Sequence, residues 1–203
     1  MRERVEFYNI KIDAEKEMAW VYSAMAFQEL LNREFRGQSL KKLFVPLWGY
    51  VRCQKRSENY FDFSYISGPL LLVFNNSVLE LMIHTDGMVE YRFIPLEKVQ
   101  IPEYSRKDFP PSNTDDVGSS YYFDLTGEFG LSFVDETIKF IEVTKTDAYP
   151  FDLDGFDEEL AAEAEQRCDL PRDVKLFMNN GAVLNLCAEL EYYYIKATTE
   201  AKK

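Results

Sequence analysis

The sequence predicts an α+β fold, mainly antiparallel β-sheet built from hairpins and a meander, with one long N-terminal helix and one short helix near 156–167. Three observations carry this. Apolar residues recur at helical spacing only near the N-terminus, short strand-like segments separated by turn residues follow, and aromatic content is high, with 16 Phe and 13 Tyr in 203 residues. Flat rings and β-branched side chains pack well on a pleated surface.

The helix is expected from Ala14 to Phe35, where Met18, Val21, Met25 and the Leu30/Leu31 pair share one face. Asp13 is the expected N-cap, Glu15 and Glu17 suit the first turn, and Gly37 suits the position after the last, near Arg33 and Arg36. Trp20, Tyr22 and Phe27 widen the apolar stripe until it nearly encircles the helix, as in a helix that is well buried or meets a second body.

Strands are expected from Phe44 onward. Tyr60–Ile66 ends at Ser67-Gly68-Pro69; Leu70–Phe74 and Val78–Ile83 flank Asn75-Asn76-Ser77; Asp86-Gly87 leads into Met88–Ile94. In that last strand Met88, Glu90, Arg92 and Ile94 fall on one face and Val89, Tyr91 and Phe93 on the other. Residues 102–118, with Pro110-Pro111, have no periodicity and divide the chain into 1–101 and 119–203, as a long loop in one domain or a boundary between two. Strands resume at Tyr121–Leu125, Leu131–Val134 and Ile138–Thr144. After an acidic stretch containing the expected helix Phe156–Arg167, Val174–Met178 and Ala182–Ala188 flank Asn179-Asn180-Gly181, and Tyr192–Ala197 follows. The two Asn-Asn hairpins and the Glu-Tyr segments after them resemble each other, through duplication of one β unit or through local reuse of turn residues.

The composition, 46% hydrophobic, belongs to a globular chain, and a chain of this length buries roughly 70% of its unfolded surface. Cys53, Cys168 and Cys187 are widely spaced and odd in number, which points to reduced thiols. The longest strongly apolar run, Pro69–Phe74, is far short of the ~20 residues that span a bilayer. With a charged N-terminus lacking a signal-peptide core, these features predict a soluble cytoplasmic protein that does not enter membranes.

Net charge is −12, yet Arg33–Ser57 holds seven basic residues and one acidic residue, a local +6 that leaves −18 elsewhere. Overall acidity opposes general nucleic-acid binding. Within the basic segment, Lys41, Lys42, Arg52, Lys55 and Arg56 interleave with Trp48 and other aromatics. The reverse charge lies in 147–173, ten acids against Arg167 and Arg172, including Asp152, Asp154, Asp157, Glu158 and Glu159. These eleven named residues are the candidate partner-binding positions. Alternatively, the two stretches neutralise each other within the fold.

Catalytic signatures are missing. The single His84 sits at a turn and cannot supply a two-His metal site. Asp152-x-Asp154-Gly155 does not follow the spacing of a calcium loop, and no glycine-rich phosphate cradle or nucleophile elbow is present. No catalytic residue, metal or cofactor is assigned. The leading expectation is a non-enzymatic protein–protein interaction module, comparable in composition alone with small acidic bacterial proteins that neutralise basic toxins. The alternatives are a carboxylate-dependent hydrolase acting on a small substrate and a homo-oligomeric structural protein.

Overall fold

The computed structural model describes residues 7–13, 16–46, 53–57, 60–64, 69–83, 89–102, 120–126, 133–145, 170–189 and 192–199. Fourteen strands and one α-helix lie among them: β1 Phe7–Ile12, β2 Ala19–Val21, α1 Ala24–Phe35, β3 Lys42–Pro46, β4 Cys53–Ser57, β5 Tyr60–Ser64, β6 Leu70–Val73, β7 Ser77–Ile83, β8 Val89–Pro95, β9 Val99–Gln100, β10 Ser120–Asp124, β11 Ile138–Lys145, β12 Pro171–Met178, β13 Ala182–Glu189 and β14 Tyr192–Thr199. One 3₁₀ turn, Leu96–Lys98, joins β8 to β9.

Every strand pairing is antiparallel. An eight-stranded sheet runs β2-β8-β7-β6-β3-β10-β1-β9, and a six-stranded sheet runs β11-β12-β13-β14-β5-β4. Both draw strands from either side of residues 103–119. The larger sheet curls as a half-barrel. Its ladder travels from β8 across five strands to β9, while the chain between β8 and β9 is only the three residues Leu96–Lys98.

That curl explains a separate apolar cluster. Ile10, Phe44, Leu71, Val73, Val78, Ile94, Val99 and Tyr122 are buried together, and all belong to strands of the one sheet. They share the face that the sheet turns inward on itself. The opposite face carries Leu43, Val45, Leu70, Leu72, Leu79, Leu81 and Val89 into the main core, which α1 and the six-stranded sheet complete with Ile141, Val143, Leu176, Leu184 and Ile195. The face division expected for Val89–Ile94 therefore holds among its described members: Val89, Tyr91 and Phe93 pack on the main core, and Ile94 lies in the second cluster.

The helix is shorter than expected. Residues 19–21 form β2, paired with β8 through Ala19↔Tyr91, Trp20↔Glu90 and Val21↔Val89. The consecutive Trp20-Val21-Tyr22 favours extended backbone, and Ser23 then caps α1, its Oγ accepting from the Ala26 amide at 3.4 Å. Asp13 is not the cap of α1; its amide donates to the Lys98 carbonyl at 2.9 Å and its carboxylate meets Lys98 Nζ at 3.6 Å. At the other end Gly37 adopts φ +84 and donates to the Ile138 carbonyl at 2.9 Å. The described part of the strand expected at Leu131–Val134 is no strand: Phe133 and Val134 lead into a turn at Asp135, whose φ of 64 an aspartate tolerates. The expected helix 156–167 lies outside the described residues. Both Asn-Asn hairpins form, β6–β7 and β12–β13, and in the second the Asn180 side chain accepts from the Ala182 amide at 2.9 Å.

Along one face of α1, Ala24, Phe27, Leu31 and Phe35 are buried. The adjacent row is polar and has a definite task. Asn32 clasps strand β11 with both ends of its amide: Nδ2 donates to the Ile141 carbonyl at 2.6 Å and Oδ1 accepts from the Ile141 amide at 2.8 Å. One turn earlier, Gln28 Oε1 accepts from the Val143 amide at 2.9 Å. β11 is an edge strand, so these amides satisfy backbone groups that a neighbouring strand would otherwise hold. Asn32→Ala is expected to cost about 1–3 kcal/mol, the penalty of leaving partly buried polar groups unmatched. A lower urea midpoint and faster exchange of the Ile141 amide would register it; an unchanged Ile141 exchange rate would refute the clasp.

Candidate functional site

Among the expected partner-binding positions, Lys41 and Lys42 are described in full, and both are paired within the fold. Lys41 Nζ lies 2.6 Å from Asp135 Oδ1. Lys42 Nζ lies 3.1 Å from Asp124 Oδ2 and 5.4 Å from the ring centroids of both Tyr8 and Phe44. Asp124 is itself oriented, its Oδ1 accepting from the Thr126 amide at 2.9 Å while Thr126 Oγ1 accepts from the Leu43 amide at 3.0 Å. The sequence separations are 94 and 82 residues, and these acids are not those of 147–173. Lys55 and Arg56 lie on edge strand β4, which pairs with β5. Trp48, Arg52, Asp152, Asp154, Asp157, Glu158 and Glu159 lie outside the described residues, as do His84 and the turn 84–88.

A buried charge pair stands out on the inward face of the curled sheet. Glu80 is 4% exposed and sits directly across from Arg92 in the β7–β8 register. Arg92 Nη2 and Nε reach the same carboxylate oxygen, at 2.5 and 2.7 Å, while Nη1 donates to the Lys16 carbonyl at 2.6 Å. Burial pushes the Glu80 carboxyl above the ordinary glutamate range, and Arg92 pulls the other way by hydrogen bond and charge. The pair binds β7 to β8 and pins the segment leading into β2. A perturbed carboxylate can mark a reactive centre, but this one is saturated by a guanidinium in an apolar surround, and its geometry is that of a tie.

Cys187 is a buried free thiol whose Sγ donates to Asp173, its cross-strand partner. Among the described residues no group of three or more His, Cys, Asp or Glu is placed to hold a metal ion, and no helix is long and apolar enough to cross a membrane.

Where the sequence shows an apolar surplus around the first helix, the structure collects it on the surface. Among the described residues the exposed large hydrophobics are Trp20 at 41%, Tyr22 at 73% and Met25 at 67%. They bracket the junction of β2 and α1, and Leu30, one further turn along, is half-buried. The same arithmetic that shortens the helix produces the patch: Val21, Ala24 and Phe27 enter the core, so their neighbours in an extended-then-helical stretch point away from it. Aromatic and methionine side chains gathered in this way are the residues that anchor protein interfaces.

β2 is also a sheet edge, and the four edges differ. β11 is clasped by α1, β9 is two residues long, and β4 carries Lys55-Arg56 in a five-residue sequence. Short length, charge and coverage are the usual protections against edge-to-edge pairing. β2 presents Ala19-Trp20-Val21, and among the described residues no strand pairs with its outer side. Set against known proteins, the chain matches no family model, no curated protein and no solved structure.

Proposed function

We propose that this chain is a non-enzymatic protein–protein interaction module that binds its partner through Trp20, Tyr22 and Met25 at the β2–α1 junction. The observation that carries the reading is the exposure of three large apolar residues within the six positions 20–25, at the junction of β2 and α1. Isolated exposed apolar residues are ordinary, whereas several large ones close together in the chain are the kind of surface that partners cover. The pairing of Lys41 and Lys42 with Asp135 and Asp124 supports moving the centre of the binding surface from the basic segment to this patch.

Single replacements Tyr22→Ala and Met25→Ala are expected to leave stability within about 0.5 kcal/mol, since both residues are largely solvated, whereas Trp20→Ala also removes covered ring surface and is expected to cost more. Each is expected to weaken a partner complex by roughly tenfold or more, the behaviour of interface anchors. Photo-crosslinking from position 22 in cells of the source, with position 100 on β9 as control, would identify the partner. Equal yields from both positions, or full complex formation by the Trp20→Ala/Tyr22→Ala/Met25→Ala variant, would sink the assignment.

A further inference from the structure

One continuous stretch of chain, residues 28–38, runs along the outer edge of β11. Asn32 holds both the amide and the carbonyl of Ile141, and Gln28 holds the Val143 amide. Past the helix, Gly37 donates to the Ile138 carbonyl and the Gln38 carbonyl accepts from the Ile138 amide, each at 2.9 Å. Spacing makes the fit possible. Four residues of helix advance about 6 Å and two residues of antiparallel strand about 6.8 Å, so side chains at i and i+4 meet alternate residues of a strand. Asn and Gln end in a carbonyl and an amide, the same groups that a peptide unit offers. Asn32 Nδ2 is shared with the Gln28 carbonyl at 2.8 Å, which holds the two residues in one row. The 28–38 stretch thus gives β11 the hydrogen bonds that a seventh strand of this sheet would give.

We infer that residues 28–38 guard β11 against pairing with β11 of a second copy, and that the chain dimerises through this edge once Gln28 and Asn32 let go. β11 is eight residues long and rich in Ile, Phe, Val and Thr, which favour extended backbone. Between its irregularities, Phe140 to Thr144 pairs in regular register with β12. The strand has no proline, and its charges, Lys139, Glu142 and Lys145, are of mixed sign, so no like-charge block repels an identical strand. In an antiparallel pair about a two-fold axis both edges come from the same residues, so one change opens both copies and the contact closes on itself. The net charge of −12 on each copy opposes the pairing, and salt weakens that opposition. The pairing uses none of Trp20, Tyr22 and Met25, so its failure leaves the partner site above untouched.

The test is light scattering of the full chain carrying Gln28→Ala/Asn32→Ala, at rising protein and salt concentrations, together with hydrogen exchange of the Ile141 and Val143 amides. Its mass is expected to double with concentration, and at lower concentration when salt is high. In dilute solution both amides should exchange about tenfold or more faster than in the parent, the loss of one buried hydrogen bond each. Their protection should return as the dimer fills, because the second strand takes them over. Leu186→Ala serves as control: this side chain is fully buried on β13, so the variant loses stability without touching the guard and should keep the parent's mass. A double variant with the parent's mass at every concentration and salt overturns the inference. So do dimers in which Ile141 and Val143 still exchange fast, equal dimerisation by Leu186→Ala, or equal dimerisation by the parent. If the double variant does not fold, Gln28→Ala alone frees the Val143 amide and is read in the same way, with an unchanged mass counting against the guard.

Discussion

Phe35→Ala is expected to lower the unfolding free energy by about 3–5 kcal/mol, the largest single effect of any substitution in α1. Phe35 is 1% exposed at the last turn of the helix, and two rings of the curled sheet close on it. Phe74 stacks at a centroid distance of 4.1 Å and Phe93 meets it edge-on at 5.4 Å. Removing the ring deletes its transfer free energy and leaves a space walled by rigid aromatic side chains that cannot collapse into it. Leu31, the preceding member of the same row, has only aliphatic bulk to lose, so Leu31→Ala should fall toward the lower part of the range for such changes, about 2–5 kcal/mol. Urea unfolding monitored by circular dichroism separates the two. A Phe35→Ala midpoint equal to that of the parent would mean that the helix end does not pack as described.

Arg92→Ala is expected to destabilise by about 3–5 kcal/mol at neutral pH, because it leaves the Glu80 carboxylate buried with no opposing charge. The effect must depend on pH, and its sign follows from the direction of the Glu80 shift. Burial already raises this group in the folded protein. Just above the ordinary glutamate range, the folded state therefore keeps a proton that the unfolded state has released, and stability falls as pH rises through that window. Without Arg92 the opposing influence is gone, the folded value rises further, and the window widens toward neutrality. The variant should thus be closest to the parent near the ordinary glutamate range and fall progressively behind it as pH increases. Replacing both partners, Glu80→Leu with Arg92→Leu, removes both charges and should recover most of the loss. A deficit in Arg92→Ala that is the same at every pH would refute the role given to Glu80.

Much of the β architecture is legible in the sequence because it is governed by local signals. Asn75-Asn76 and Asn179-Asn180-Gly181 mark their hairpins whatever else the chain does, and alternation within Val89–Ile94 sorts its residues onto two faces. What fails is the start of the first helix. Met18, Val21 and Met25 satisfy a helical period, yet Val21 is buried through its pairing with Val89, a partner 68 positions away that no local pattern contains. The β-branched and aromatic run Trp20-Val21-Tyr22, followed by the capping Ser23, was the available signal for a strand and a later helix start. β1 likewise shows in the alternation of Tyr8, Ile10 and Ile12, three residues that pack in the second apolar cluster. The pairings of Lys41 with Asp135 and Lys42 with Asp124 have no local trace, since any acid on the right neighbouring segment would serve. The surface patch could be found only by subtraction, as the apolar residues of the first helical stretch that the core does not use.

The way strands from distant parts of the chain interleave has a consequence for how the molecule is made. β1 lies between β9 and β10, so one of its sides stays open until residues 120–124 have been synthesised. β5 waits longer, because its inner neighbour is β14, whose pairing begins at Tyr192. The eight-stranded sheet can be finished once Asp124 has emerged, but the six-stranded sheet waits for nearly the whole chain. Such distant closures make for slow folding, and until they occur the meander β6–β7–β8 and the hairpins β4–β5 and β12–β13 are what can assemble from neighbouring sequence. Through most of its synthesis the growing chain therefore carries β5 paired with β4 on one side and open on the side that β14 will take, a stretch exposed to wrong pairing until the last strand emerges.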